Sequence, residues 1–162
     1  MKRIAYVGAI GVAAVAAVGL SAGPAFADSP HFTRASASGP DAAGQLAVDF
    51  KMAGLGDNVT ITITTTADAT ALFACQNNGG NFPSDPKKQL VSGPVSASDD
   101  FTSGKNGSVS GSLTLSPPAS TLVCPGGQRV VLANVSYTNV QIAGGGDVAS
   151  IPGTFSRTFF NV

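Results

Sequence analysis

Leu46-Ala47-Val48-Asp49-Phe50-Lys51-Met52 and Val59-Thr60-Ile61-Thr62-Ile63-Thr64 carry the period that decides the fold. In the first run Leu46, Val48, Phe50 and Met52 alternate with Ala47, Asp49 and Lys51. In the second, Val59, Ile61 and Ile63 alternate with threonine. Successive side chains on a strand point to opposite faces, so each run has one buried and one solvated face. Gly54, Gly56, Asp57 and Asn58 lie between them and supply a turn.

The same reading extends toward the C-terminus. Asp68 marks the next expected reversal, after which Ala71, Phe73 and Cys75 share the face of a third strand. A long loop from Gln76 to Lys88 follows, with Asn78-Gly79-Gly80, Pro83 and Pro86. Gln89 to Val95 reads as a weaker strand, and Gly93-Pro94 assigns it to an edge. Asn106-Gly107 is a turn signal before Val109, Leu113 and Leu115, and Pro117-Pro118 ends that strand. Arg129 to Ile142 is the longest β-like run. Its apolar positions are odd from Val131 to Tyr137 and even at Val140 and Ile142, so a bulge or change of sheet is expected near Thr138-Asn139. Gly144-Gly145-Gly146 turns the chain toward a last strand within Thr154 to Phe160. About seven strands with short links and no helical period predict an all-β, antiparallel two-sheet sandwich; a small β-barrel is the alternative.

The N-terminus reads differently. Lys2 and Arg3 precede an apolar run from Ile4 to Leu20, then Ser21, Gly23 and Pro24, then Ala25-Phe26-Ala27. This is the layout of a secretory signal peptide, residues 1–27, cleaved before Asp28. Residues 28–44 show no sustained period and are expected to be a mobile leader with room for a short edge strand near its end, leaving 45–162 as the β domain. Export places Cys75 and Cys124, the two cysteines, in an oxidising compartment as a disulfide. The protein is expected to be secreted, extracellular and monomeric, with no membrane span after cleavage.

Composition narrows the function. Beyond the N-terminal pair the cations are Arg34, Lys51, Lys87, Lys88, Lys105, Arg129 and Arg157, set against nine Asp and no Glu. Lys87-Lys88 is the one basic cluster, which argues against nucleic-acid binding. The single His, His31, sits in the expected leader and makes a poor general base, so a Ser-His-Asp triad is not expected and no catalytic residue is assigned. Asp99-Asp100, the one adjacent acidic pair, lacks the ligand spacing of a calcium loop and reads as a solvated turn. No metal and no cofactor are expected. Asn58, Asn106 and Asn134 begin glycosylation triplets of a kind that arises by chance in a Ser/Thr-rich chain. Two binding candidates stand out: Lys87 and Lys88 in a proline-stiffened loop, and Phe155, Arg157 and Phe159 on one strand face, where a cation–π surface is possible.

Ala53-Gly54-Leu55-Gly56-Asp57, Phe73-Ala74-Cys75 and Lys105-Asn106-Gly107-Ser108 leading to Ser112-Leu113-Thr114-Leu115 resemble segments of small exported actinobacterial proteins with an immunoglobulin-like sandwich. They are also distantly similar to the neocarzinostatin family of chromoprotein apoproteins, in which corresponding segments occur in this order. That family carries two short-loop disulfides, whereas this chain has a single widely spaced pair. The first resemblance implies an immunoglobulin-like fold and the second a small-molecule carrier. The function expected is a secreted, non-enzymatic binding or structural module of the envelope or medium, partnered by a protein or small molecule. A carrier, or a protease inhibitor acting through residues 76–88, are the alternatives.

Overall fold

The alternating runs bury the residues their period selects. Leu46, Val48, Phe50 and Met52 are buried, as are Ile61 and Ile63. The computed structural model describes residues 29–162; the signal peptide expected at residues 1–27 lies outside the described residues. Eight strands are present: β1 His31–Ser38, β2 Leu46–Ala53, β3 Thr60–Asn77, β4 Lys88–Thr102, β5 Val109–Leu115, β6 Gln128–Gly144, β7 Asp147–Ile151 and β8 Phe155–Thr158. They form two antiparallel sheets, one of order β1-β2-β5 and one of order β4-β3-β6-β7, with β8 also paired to β6. The sheets pack as a β-sandwich and do not close into a barrel.

Three corrections to the sequence reading follow: a bulge hides one strand's period, and elsewhere inward parity overrides turn-forming residues. First, residues 31–38 are not a patternless leader but an edge strand paired to β2. Thr33 is an extra residue there: Phe32 pairs with Met52, yet Arg34 pairs with Lys51. This bulge shifts the inward face from Phe32 to Ala35 and Ala37 and so breaks the period. Second, Asp68 does not reverse the chain. Ala67, Ala69 and Ala71 continue the inward parity of Ile61 and Ile63, and Asp68 stands on the outer face opposite Pro94 in an unbroken β3. Third, Asp99 and Asp100 belong to β4, not to a turn; they pair with Ile63 and Thr62. β4 is the edge strand expected from Gly93-Pro94, but it runs on to Thr102.

The parity switch in β6 takes the form expected. Asn139 has a left-handed φ of 52°, and two β6 residues, Asn139 and Val140, stand against Ala67 alone. Asn139 tolerates that φ better than most residues and donates its amide to Asp68 Oδ2 at 2.8 Å. The hydroxyl of buried Thr65 donates to Gln141 O beside the bulge at 2.9 Å. A second bulge, which parity did not signal, places Ala133 as the extra residue between Asn134 and Leu132.

The core between the sheets is joined by one buried polar contact. Tyr137 is fully buried and donates its hydroxyl to Gly44 O at 2.7 Å, tying β6 to the turn that leads into β2. Gly44 has φ 81°, and a Cβ there would lie 2.5 Å from Leu132 Cδ2, so the turn needs glycine. Burial, and secondarily the Asp41 carboxylate, push the Tyr137 phenol up to about 12 from 10.0. The folded value is raised, so this contribution to stability is complete below pH 10 and is lost as pH rises from 10 to 12, by about 3 kcal/mol in all. Tyr137→Phe is expected to cost about 1–3 kcal/mol at neutral pH through the orphaned Gly44 carbonyl. Its stability should then fall less steeply than that of the unmodified protein in the same alkaline window, as urea unfolding across pH will show.

Cys75 and Cys124 form the expected disulfide, spanning 49 residues. Phe73 and Gln89 pair opposite each other, and the strand-free segment from Ser116 to Pro125 lies beside them. Gln89 binds that segment through Ser120 Oγ at 2.8 Å and Thr121 Oγ1 at 2.7 Å.

Candidate functional site

The bulge at Ala133 helps build an apolar concavity. Its carbonyl accepts the amide of Phe159 at 2.8 Å and that of Phe160 at 3.2 Å, just past the end of β8. This fixes two consecutive phenylalanines beside Val131 and Leu132. The opposite wall is Ala42 and Ala43, in a turn held by Asp41 Oδ1, which accepts the amides of Ala43 and Gln45, both at 2.8 Å. The groove has a volume of about 340 Å³ and is lined by Ala42, Ala43, Val131, Leu132, Phe159 and Phe160. Small alanines on one side leave the space that the phenylalanines border. Phe160 is 37% exposed and packs edge-on against Phe82 at 5.3 Å.

Arg157 lies beside Phe159, one wall of the groove. Its guanidinium lies 5.0 Å from the centre of the Phe159 ring and donates to Pro40 O at 3.2 Å. Arg157 and Phe155 pair with Val135 and Tyr137 and so share a face of β8, while Phe159 lies beyond the strand. The three therefore do not share one strand face as expected: Arg157 lies over the Phe159 ring within the protein, and both phenylalanines pack against the core. An apolar floor with one cation beside its wall can hold an apolar body that carries an acidic end.

The structure places the other candidates apart from this groove. Lys87 is held twice: its carbonyl accepts the Cys75 amide at 2.9 Å and its ammonium donates to Val123 O at 3.1 Å. Lys88 is exposed and begins β4 opposite Ala74. Asp100 Oδ1 accepts the Thr62 hydroxyl at 2.6 Å, and Asp99 Oδ1 accepts the Asp100 amide at 2.8 Å. Asp99 pairs with buried Ile63 on an edge strand, a placement that discourages pairing with another chain. His31 Nδ1 donates to Ser29 O at 2.9 Å. Among the described residues no group of three His, Cys, Asp or Glu is placed to hold a metal.

Ala42, Ala43, Val131, Leu132 and Phe160 had no distinguishing signal in the sequence, being ordinary apolar residues gathered from three distant segments. The adjacent pair Phe159-Phe160 was the one available hint, since consecutive residues in extended chain point apart and one of them tends toward solvent. The chain matches no protein-family model, no curated protein and no solved structure.

Proposed function

We propose that the chain is an exported, non-enzymatic binding module of the envelope or medium that seats an apolar group of its ligand in the Phe159–Phe160 groove. The observation that carries this reading is the groove itself: preformed, apolar, about 340 Å³ in volume, with an arginine lying over the ring of one wall, Phe159. That volume lies in the range of small-molecule sites. The formed disulfide points to an oxidising, extracytoplasmic environment, which supports export. The groups first considered for catalysis have structural partners: His31 with Ser29, and Asp100 with Thr62.

The finer immunoglobulin-like reading belongs to the same proposal. The strand orders first-second-fifth and fourth-third-sixth-seventh support it, since they differ from the constant-type arrangement by moving the fourth strand beside the third. A carrier of the kind implied by the neocarzinostatin resemblance is one form of such a module. The inhibitor reading has less support, because the Lys87 side chain and carbonyl are both engaged.

An anionic apolar dye tests the groove. Titration of the oxidised protein with 8-anilinonaphthalene-1-sulfonate is expected to show one saturable fluorescence enhancement in the folded state, verified by circular dichroism. Phe160→Ala should weaken that binding about tenfold, since part of a phenyl ring's burial is lost. No enhancement, or equal binding to Phe160→Ala, would overturn the proposal.

A further inference from the structure

The outer faces of the two sheets are chemically unlike. On the five-stranded sheet, the residues facing out along β3 are Thr60, Thr62, Thr64, Thr66, Asp68 and Thr70. Their hydroxyls pair across to β4, Thr60 with Thr102 at 2.8 Å and Thr64 with Ser98 at 2.7 Å. Between Thr60 and Leu72 neither these residues nor their β4 and β6 partners include a lysine or arginine. The outer face of the three-stranded sheet concentrates cations instead. Arg34 of β1 lies directly opposite Lys51 of β2, and Ser110 of β5 lies on the other side of Lys51.

This placement breaks a local rule. Like charges directly opposite on neighbouring strands repel and destabilise the pair. Asp49 is near, opposite Ser36 and Ser112, yet among the described residues neither Arg34 nor Lys51 forms a salt bridge with it. The fold also goes out of register to create the pair. Without the bulge at Thr33, that threonine would stand opposite Lys51; the bulge brings Arg34 there, and Thr33 Oγ1 donates to Lys51 O at 3.2 Å. Bulges of this kind re-aim side chains and concentrate at functional positions. A depression of about 330 Å³ lies at the same place, lined by Arg34, Asp49, Phe50, Lys51, Ser110 and Gly111. Gly111 borders it through its backbone; its missing Cβ points the other way, into the core, where it would lie 2.3 Å from the Phe101 ring. His31 is on the same outer face of β1, opposite Ala53.

From these observations we infer that Arg34, Lys51 and Ser110 form an oxyanion subsite that takes a phosphate group, as free phosphate or as a phosphodiester. A guanidinium fork, an ammonium and a hydroxyl are complementary donors for a tetrahedral oxyanion. A bound phosphate also relieves the repulsion between Arg34 and Lys51, which Asp49 offsets only in part because it forms no salt bridge with either. Asp49 at the border disfavours a closely bound dianion and suits a singly charged phosphodiester. The subsite is separate from the Phe159–Phe160 groove and does not depend on it.

The test follows amide and side-chain NMR signals of the oxidised protein during titration with inorganic phosphate, with sodium chloride at matched ionic strength as control. A second arm measures sedimentation with phosphatidylglycerol vesicles against phosphatidylcholine vesicles. Saturable shifts at Arg34, Lys51 and Ser110 with phosphate identify the free anion as sufficient. Phosphatidylglycerol-dependent sedimentation without such shifts identifies the diester on a surface, and either result supports the subsite. Lys51→Ala should weaken the response about tenfold or more, the size of a lost charged hydrogen bond. Lys51→Glu, which gives Arg34 an opposite partner, should abolish it while raising the melting temperature. The inference is overturned if neither arm responds, if chloride reproduces the shifts, or if Lys51→Glu binds as the unmodified protein does.

Discussion

Replacing both Cys75 and Cys124 with serine is expected to lower the unfolding free energy by about 4 kcal/mol. The bridge closes 49 residues, and constraining a loop of that length in the unfolded chain accounts for a loss of this order. The folded state adds its own reason. Residues 116–125 contain no strand, and in the middle of the segment the anchors beyond the bridge are the Gln89 contacts to Ser120 and Thr121 and the Lys87 contact to Val123. Without the disulfide that segment should loosen first. Since small domains hold only about 5–15 kcal/mol in total, the loss is large. Urea unfolding of the double variant, and of the unmodified protein with and without reductant, measures it. A change below about 1 kcal/mol would contradict the role given to the bridge, the expected range being roughly 2–5 kcal/mol.

Phe50→Ala is expected to cost as much, about 3–5 kcal/mol. Phe50 is 3% exposed and sits in the middle strand of the three-stranded sheet. Its ring meets Phe32 of β1 edge-on at 6.1 Å and Phe101 of β4 edge-on at 4.9 Å. Gly111 opposite it admits the rings by lacking a side chain. The three phenylalanines thus join an edge strand of one sheet to an edge strand of the other. Truncation removes the transfer free energy of the ring and two aromatic contacts, and it leaves a cavity that flanking backbone ladders cannot fill. The shift in urea midpoint should far exceed that of Val148→Ala, because Val148 is 61% exposed on β7.

The two-sheet architecture was legible because Leu46 to Met52 and Val59 to Thr64 keep one parity in uninterrupted runs. The bulge at Asn139 was legible for the same reason, since the apolar positions change parity there. Where a bulge removes the period from a short run, the strand itself disappears from view. Phe32, Ala35 and Ala37 all face inward, but Thr33 lies between them as an extra residue, and so β1 reads as patternless. Asp68 misled in the opposite direction: a turn-forming residue on an exposed face has no power to turn a strand whose inward Ala67, Ala69 and Ala71 stay in register. The alternation of Phe155, Arg157 and Phe159 suggested one shared strand face, but β8 ends at Thr158, and neither the Arg157–Phe159 contact nor the groove could be anticipated. Its walls come from Ala42-Ala43, Val131-Leu132 and Phe159-Phe160, which only the cross-strand register brings together. Likewise, the opposition of Arg34 and Lys51 depends on the bulge at Thr33 and cannot be seen before it.

The exposed residues of the two proposed sites, Phe160 and Lys51, stand outside the packed core. Groove walls are partly exposed, and the Arg34–Lys51 pair opposes folding, whereas the Phe50 cluster, the Tyr137 contact and the disulfide maintain the sandwich. Binding variants at Phe160 or Lys51 are therefore expected to stay folded.

The most direct test of the binding-module reading is to titrate the oxidised, isotope-labelled protein with an anionic apolar probe and map the perturbed amides. The account predicts saturable shifts centred on Ala42, Ala43, Val131, Leu132 and Phe160, with the Arg157 side chain included and the core around Phe50 unmoved. Shifts centred on any other surface, or no saturable shift in the folded protein, would contradict it.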